Sequence, residues 1–156
     1  MKEIPLTQNK FALIDDEDYE KVSDLVWHFT DKGYARAHDP VSGRSVLMHR
    51  VIMNTPTGME TDHVNGNRID NRKENLRVCT SSENRINSHK RNNCSSTYKG
   101  VNWDKFHKQW VAKLKVDGKQ RLIGYFNEEY QAAMAYDIWA RELHGEFARL
   151  NFVPAI

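Results

Sequence analysis

The stretch that decides the fold of this chain is residues 60–67, which read Glu-Thr-Asp-His-Val-Asn-Gly-Asn. A carboxylate and an imidazole stand side by side at the start of a loop rich in Asn and Gly. These residue types tolerate left-handed backbone and bond to their own main chain. Residues 59–64 suit a short strand before the loop, and residues 76–79 suit a second strand after it. The pattern predicts a strand that ends at Asp62 and His63.

A helix is predicted directly after the second strand, over residues 81–90. Thr80 and Glu83 have the spacing of a capping box, in which the Thr hydroxyl accepts from a helical amide and the Glu carboxylate reaches back. Asn84 falls in the first turn of this helix. The predicted order is therefore strand, loop, strand, helix, with an amide side chain near the beginning of the helix.

The side chains of this segment suit metal-assisted hydrolysis. An imidazole has a pKa near neutrality, so His63 is the candidate general base. Asp62 offers a hard oxygen of the kind that Mg²⁺ and Mn²⁺ prefer. One carboxylate is a weak anchor, and Asn84 is the candidate for a second ligand. The alternative is structural: Asp62 would cap a turn, and His63 would be a loop residue with its hydrogen bonds satisfied.

The pattern Asp62-His63, then Asn75-Leu76-Arg77, then Asn84 resembles the HNH nucleases. The resemblance is to the branch that includes phage-encoded and intron-encoded homing endonucleases, and it covers about residues 45–92. It implies a ββα-metal fold. It also implies that the chain is an enzyme that hydrolyses DNA phosphodiester bonds with a divalent metal.

The resemblance assigns a role to each residue of the motif. The metal ligands would be Asp62 and Asn84, the general base His63, and the residue that pins the loop Asn75. Colicin-type relatives use histidine ligands and favour zinc or nickel. The harder ligands of this chain therefore imply Mg²⁺ or Mn²⁺ rather than Zn²⁺. A His-Arg pair on the first strand, His49 and Arg50, is similar to one that recurs in this branch and is expected to support the site or contact DNA.

The N-terminal third is expected to be a scaffold of short elements. Strands are predicted at residues 11–14, 33–37 and 45–52. Residues 15–26 mix acids with apolar residues at a spacing that suits one short amphipathic helix.

The C-terminal third is predicted to be a three-stranded antiparallel sheet with one helix packed on it. Residues 110–116 alternate strictly, Asp117-Gly118 indicates a hairpin, and residues 100–103 and 120–126 supply the outer strands. Asn127 is the predicted helix cap and Gly145 the helix end. The predicted buried helix face consists of Ala132, Ala135, Tyr136, Trp139 and Leu143.

This module, residues 98–152, resembles the APETALA-type, ethylene-responsive-factor DNA-binding domain of plants. The resemblance rests on residues 98–101, 124–126, 132–137 and 145–152. It implies that the sheet, rather than the helix, lies in the DNA major groove. The lysines of this sheet stand where the plant domains have arginines and tryptophans, so contacts to phosphates should outweigh base reading.

Charge is distributed unevenly, in a way that suits nucleic acid. Residues 85–121 contain ten Lys and Arg against two Asp, whereas residues 1–24 contain three Lys against seven acids. A basic middle predicts a nucleic-acid partner, although it could also be a solvated face. The predicted DNA-contacting residues are His49, Arg50, Arg77, Lys99, Asn102, Trp103, Lys105, Lys108, Lys113, Lys115 and Arg121.

Together these patterns predict an α+β protein with residues 1–92 as N-terminal strands plus nuclease core, 93–97 as linker and 98–156 as DNA-binding domain. Two cysteines exclude a disulfide framework, and no apolar run approaches the roughly 18 residues that span a membrane. We expect a cytoplasmic, sequence-tolerant homing-type endonuclease that nicks double-stranded DNA as a monomer, in the host cytoplasm if phage-encoded. The alternatives are a non-catalytic DNA-binding regulator and, less favoured, an RNA-binding module.

Overall fold

The computed structural model describes residues 1–90 and 94–152. The chain divides into two compact units, residues 1–85 and 86–156. Residue 93, where the predicted linker begins, lies outside the described residues, as do 91–92 at the end of the predicted nuclease core and 153–156 at the end of the predicted DNA-binding domain. Antiparallel sheets with a few helices make up both units, so the fold is α+β.

The first unit contains seven strands in three antiparallel sheets. Its strands are β1 (Lys2–Leu6), β2 (Lys10–Ile14), β3 (Trp27–Phe29), β4 (Ala35–Asp39), β5 (Arg44–Leu47), β6 (Glu60–His63) and β7 (Leu76–Cys79). Its helices are α1 (Tyr19–Val22), α2 (Met48–Ile52) and α3 (Ser81–Ile86), of which α3 ends one residue into the second unit. The sheets are β1-β2, β3-β4-β5 and β6-β7. The core includes the fully buried side chains of Ile14, Val22, Met48 and Ile52.

The helix predicted over residues 15–26 is much shorter than expected. A 3-10 turn at Asp16–Asp18 leads into α1, which lasts four residues. The indole nitrogen of Trp27 donates to the carbonyl oxygen of Val22 at 2.8 Å, and the amide of Leu25 turns back to the same oxygen. A tertiary donor therefore takes the carbonyl that a longer helix would use.

The strand predicted over residues 45–52 was wrong in its second half. β5 ends at Leu47 and the chain turns directly into α2. Met48 and Ile52, four residues apart, are 0% and 2% exposed, so one turn of helix buries both side chains. The sequence of residues 45–52 also fits the alternating pattern of a strand. Burial of Met48 and Ile52 in the core is what favours the helix.

The predicted order of strand, loop, strand and helix is confirmed for residues 60–86. β6 and β7 pair antiparallel with Asp62 opposite Arg77. The capping box is present, because the amide of Thr80 donates to Glu83 at 2.7 Å and the amide of Glu83 donates to the Thr80 hydroxyl at 3.3 Å. The helix ends at Ile86 instead of residue 90.

The second unit has the three strands and one helix predicted from sequence. They are β8 (Val101–Asp104), β9 (Gln109–Val116), β10 (Lys119–Phe126) and α4 (Glu129–His144), with strand order β10-β9-β8. Gly100 has a φ of +78°, and a Cβ there would lie 2.0 Å from the Tyr136 ring. Only glycine therefore lets the chain pass beneath α4 at this point.

The helix face was predicted only in part. Ala132 and Tyr136 are buried, but Trp139 is 49% exposed and Leu143 is 38% exposed. Asp137 takes an inward position because its carboxylate accepts from the amides of Asn151 and Phe152. Because Asp137 faces inward, the side of α4 that carries Trp139 faces solvent.

The predicted cap of α4 was also wrong. Glu128 occupies the cap position, without a side-chain cap bond. The side-chain oxygen of Asn127 instead accepts from Gln109 Nε2 at 3.0 Å.

Candidate functional site

The loop between β6 and β7 is built around the side chain of Asn75. Its Oδ1 accepts from the amide of Asn65 at 2.9 Å, and its Nδ2 donates to the carbonyl of Asp70 at 2.8 Å. The Asp70 carboxylate also accepts from Arg72 at 2.8 Å. Since Asn75 is 5% exposed, these bonds replace the water that its amide would otherwise need. Asn75 thus joins both ends of the loop that follows His63.

The N-terminal strands hold the same loop from its other side. The amide of Leu13 in β2 donates to the carbonyl of Ile69, and the amide of Asn71 donates back to the Leu13 carbonyl, both at 2.8 Å. This contact gives residues 10–14 a direct structural role at the site. The N-terminal third, which was expected to be a scaffold, therefore also supports this loop.

His63 points its Nε2 at a buried amide that the sequence did not single out. The distance from Nε2 to Asn71 Oδ1 is 3.1 Å, and Asn71 is 0% exposed. Asn71 Nδ2 donates to the sulfur of Met48 at 3.4 Å, which fixes the oxygen of the amide toward His63. The neutral imidazole therefore carries its proton on Nε2 and its lone pair on Nδ1.

Two further rings enclose His63. The ring of His49 meets it edge-on at 4.9 Å between centroids, and Tyr34 lies 6.0 Å away. Burial is the main cause that lowers the pKa of His63, against the hydrogen bond to Asn71, which raises it. Burial also lowers the pKa of His49 to about 3, and its Nδ1 has no hydrogen-bond partner. Both imidazoles are therefore neutral at neutral pH.

Asp62 lies beside His63 on β6 and forms an ion pair with Arg77. Arg77 Nε and Nη2 lie 3.0 and 2.7 Å from Asp62 Oδ2. The two side chains are 7% and 12% exposed. Arg77, which was predicted to contact DNA, thus forms its ion pair with Asp62, the candidate metal ligand.

Asn84 is held by a carboxylate that the sequence reasoning missed. Its Nδ2 donates to Glu60 Oε2 at 2.5 Å. The hydrogen bond from Asn84, followed by one from Ser81, lowers the pKa of Glu60. No local pattern relates Glu60 to Asn84, which is 24 residues further along the chain.

The donors of this region are oxygen atoms of the type that hard cations prefer. Asp62 offers carboxylate oxygens and Asn84 a carboxamide oxygen, which suit Mg²⁺ or Mn²⁺ better than a softer metal. Within residues 1–90 and 94–152, no group of three or more His, Cys, Asp and Glu side chains is arranged to hold a metal. A metal site here would therefore depend on the Asn84 amide together with a carboxylate.

The predicted DNA contacts of α2 face inward. His49 is 4% exposed, and Arg50 Nη1 donates to the carbonyl of Met59 at 2.8 Å. Both therefore help to form the unit that supports the site.

The sheet of the second unit has two distinct faces. Lys113 and Lys115 alternate with Ala112 and Leu114, which are 0% and 3% exposed beneath α4. Directly opposed residues of an antiparallel pair share a face. The other side, called the lysine face below, consists of Val111, Lys113 and Lys115 of β9 with their cross-strand partners Asn102, Gln120, Leu122 and Tyr125.

The remaining predicted DNA contacts of this unit are distributed around the sheet. Lys105 and Lys108 are exposed in the turn between β8 and β9. Trp103 pairs with Trp110, lies 39% exposed and meets that ring edge-on at 5.1 Å. Arg121 is exposed but pairs with Leu114, so it lies on the face opposite to Lys113.

Lys99 is bound to the backbone of its own unit. Its Nζ donates to the carbonyls of Ile86 and Ser88, the latter at 2.6 Å. Burial, followed by the charge of Arg149, lowers the pKa of Lys99 to about 8. These carbonyls accept from a lysine rather than from helical amides, which accounts for the early end of α3.

Three exposed rings form a cluster that includes Tyr125 of the lysine face. Phe106 and His107 lie 5.0 Å apart, and His107 lies 4.4 Å from Tyr125. Phe106 is 88% exposed and Tyr125 37%. We call these three residues the aromatic cluster. The sequence pattern did not bring these three side chains together, because Tyr125 lies on a different strand from Phe106 and His107.

Comparison with known proteins shows which family has this sequence pattern. A family model described as HNH endonuclease matches residues 46–86. An uncharacterised HNH endonuclease of Acanthamoeba polyphaga mimivirus is 31% identical over 147 residues, which cover 90% of this chain and 74% of that protein. Protein 3.8 of Escherichia phage T7 is 32% identical over 96 residues, 62% of this chain and 78% of its own length.

The second unit has relatives of a different kind. Dehydration-responsive element-binding protein 2C of Arabidopsis thaliana is 45% identical over 56 residues, which cover 35% of this chain and 16% of that protein. The matched plant protein is thus similar to about one third of this chain.

The fold and the site define a two-unit α+β protein in which a buried carboxylate–histidine pair precedes an amide-rich loop. The chain belongs to the HNH endonuclease family, and it is therefore an endonuclease. The chain is also similar, over about half of its length, to an AP2/ERF and B3 domain-containing transcription repressor of Arabidopsis thaliana, at 37% identity over 75 residues that cover 20% of that protein. Members of the HNH family use divalent metal ions. In the described part of the chain, no helix is long and apolar enough to span a membrane.

Proposed function

We propose that this chain nicks double-stranded DNA, with His63 as general base and with Asp62 and Asn84 holding Mg²⁺ or Mn²⁺. The observation that carries the proposal is the bond between His63 and the buried amide of Asn71, next to Asp62 on β6. A histidine fixed in one tautomer beside a hard oxygen ligand is what hydrolysis by an activated water requires.

The proton transfer follows from the tautomer. With the Nε2 proton donated to Asn71 Oδ1, Nδ1 of His63 is the atom that accepts a proton from water. Because burial lowers the pKa of this imidazole, the neutral form is available at physiological pH. A bound divalent ion would neutralise charge on the phosphate and on the leaving oxygen. Asn75 would act by keeping the loop, and hence His63, in place.

We propose that the lysine face holds the duplex through its phosphates. Lys113 and Lys115 project from it, and Lys105 and Lys108 are exposed in the turn beside it. Lysine is a point charge for phosphate, whereas bidentate arginine reads guanine. This composition favours a sequence-tolerant enzyme of the homing type. The similarity to a plant element-binding protein supports DNA as the partner.

One site cuts one strand, so the proposed monomer produces nicks rather than double-strand breaks. The similarity to a phage protein supports a phage-type enzyme acting in the cytoplasm of the host cell.

The test is His63→Ala assayed on supercoiled plasmid with Mg²⁺ and with Mn²⁺. Loss of a general base costs about 10² to 10⁴-fold in rate. The matched control is His28→Ala, which removes an exposed histidine of β3 in the same unit. Equal nicking by His63→Ala and the parent would show that His63 is not the base. Tight DNA binding by the parent, with no cleavage under any metal, would instead favour the non-catalytic regulator.

A second candidate activity is binding of unpaired bases, and the aromatic cluster is the observation that favours it. Bases stack on exposed aromatic rings, and basic residues nearby attract the backbone. Competition of single-stranded DNA or RNA against duplex DNA at fixed salt would decide between the two. Preference for the duplex by more than about tenfold would exclude single strands as the main partner.

A further inference from the structure

The side chain of Asn84 can present either of two atoms to a cation, and only one of them is a ligand. A carboxamide has an oxygen that accepts and a nitrogen that donates, and the two differ little in shape. Glu60 removes this ambiguity because a carboxylate only accepts. The 2.5 Å contact to Glu60 Oε2 must therefore involve Asn84 Nδ2, which leaves Asn84 Oδ1 directed elsewhere.

Glu60 is also correctly placed with respect to the other proposed ligand. Glu60 and Asp62 are two residues apart on β6, so their side chains lie on the same face of the β6-β7 ribbon. Asn84, bonded to Glu60, lies along that face. Glu60 therefore joins the strand of one proposed ligand to the helix of the other.

We propose that Glu60 is a positioning residue that fixes the Asn84 carboxamide with its nitrogen toward β6 and its oxygen available to a divalent cation. The inference rests on the proposed function, in which Asn84 is a metal ligand. Without Glu60 the amide could rotate and present its NH₂ group, which repels a cation. Hydrogen-bond partners of metal ligands are typically worth 10 to 100-fold in metal affinity.

Glu60 has a second contact that permits a purely structural role to be separated from positioning. Its carboxylate also accepts from Ser81, the first residue of α3. Loss of the Ser81 bond weakens the attachment of α3 to β6 but leaves the Asn84 amide in place. Ser81→Ala is therefore the matched control for attachment of the helix.

The experiment is titration of the full chain with Mn²⁺ in the absence of DNA, following free Mn²⁺ by electron paramagnetic resonance. Glu60→Ala should weaken Mn²⁺ binding about tenfold or more. Glu60→Gln should stay within about threefold of the parent, because its amide oxygen can still accept from Asn84. Ser81→Ala should bind as the parent does. Glu20→Ala, which removes an exposed carboxylate of α1, controls for the loss of one charge.

Two results would overturn the positioning role. Equal weakening by Glu60→Gln and Glu60→Ala would mean that the charge of Glu60 matters rather than its hydrogen bond. Unchanged binding by Glu60→Ala would mean that Asn84 needs no such partner. If thermal unfolding in EDTA shows that Glu60→Ala does not fold, Glu60→Met replaces it, because that side chain is similar in length and a poor acceptor.

Failure of the proposed function looks different. Asn84→Ala should abolish the strong Mn²⁺ site. If Asn84→Ala binds Mn²⁺ as the parent does, Asn84 is not a ligand and both proposals fall. If Asn84→Ala loses the site while Glu60→Ala keeps it, only the role of Glu60 is wrong.

Discussion

The candidate site of the first unit and the lysine face of the second unit differ in how their polar groups meet water. Asp62, His63 and Asn71 are 6%, 4% and 0% exposed, and each is bonded to protein atoms. On the second unit, the side chain of Lys115 is exposed on a sheet whose opposite face holds the core. The polar side chains of the candidate site are bonded to protein atoms instead of water, whereas the lysine face keeps its charged groups in solvent.

This difference follows from what each region has to do. A proton acceptor works only if its geometry and its protonation state are set beforehand, which burial and directed hydrogen bonds achieve. Attraction of a phosphate backbone needs a density of positive charge, and solvated lysines supply it without a fixed geometry. The first region should therefore respond steeply to single substitutions and to pH, and the second mainly to salt.

The largest effect is expected from Asn75→Ala. The substitution leaves the amide of Asn65 and the carbonyl of Asp70 without the partners they have in the folded loop. The bond to the Asp70 carbonyl is buried and the bond from the Asn65 amide is partly buried, so the free energy of unfolding should fall by about 2–3 kcal/mol. Urea unfolding measures this change. Asn67→Ala, at an exposed position, is the control, and an equal loss there would show that Asn75 does not pin the loop.

Acid should destabilise the first unit through His49. The unfolded state takes up a proton as the pH falls through about 6.5, whereas burial delays protonation of folded His49 to about pH 3. The stability contributed by the neutral imidazole is therefore complete above pH 6.5 and is lost below it, by about 1.4 kcal/mol per pH unit. Urea unfolding at pH 7 and at pH 5 measures this effect. The free energy of unfolding should fall less between these two pH values in His49→Phe than in the parent. The control is His38→Phe, which removes an exposed histidine of β4. An equal dependence of the free energy of unfolding on pH in the two variants would contradict the prediction.

A smaller effect is expected from the lysine face, in the salt dependence of DNA binding. Loss of two phosphate contacts in the double variant Lys113→Ala, Lys115→Ala should reduce the slope of log K against log salt by about 1.8. Lys99→Met is the comparison, since Lys99 Nζ already donates to backbone carbonyls. An equal reduction by Lys99→Met would place Lys99 in the interface as the sequence predicted.

The smallest effect is expected at the aromatic cluster. Phe106→Leu keeps an apolar side chain but loses the ring face, so binding of single-stranded DNA should weaken about threefold if bases stack there. Leu122→Ala removes an exposed apolar side chain from the lysine face and serves as the control. Fluorescence titration with an oligonucleotide measures both. No difference between the two variants would argue against stacking.

Local patterns predicted the elements around the site, and long-range contacts set their details. The capping box of Thr80 and Glu83 lies within four residues, so the beginning of α3 could be read from the sequence. Its end could not be, because the donor at the Ile86 carbonyl is Lys99, 13 residues away. The buried face of α4 was likewise decided by the bond of Asp137 to the amide of Asn151, which no helical periodicity contains.

The sequence by itself determined the motif residues of the site and the period of the C-terminal sheet. Asp62, His63 and Asn84 stand at fixed spacings along neighbouring elements, and alternation alone separates Lys113 from Leu114, because both signals depend only on local backbone geometry. Tertiary structure decided the partners: Asn71 for His63 and Glu60 for Asn84. A buried polar group bonds to whichever complementary atom the fold brings within 3 Å or so, and that neighbour has no fixed distance along the chain.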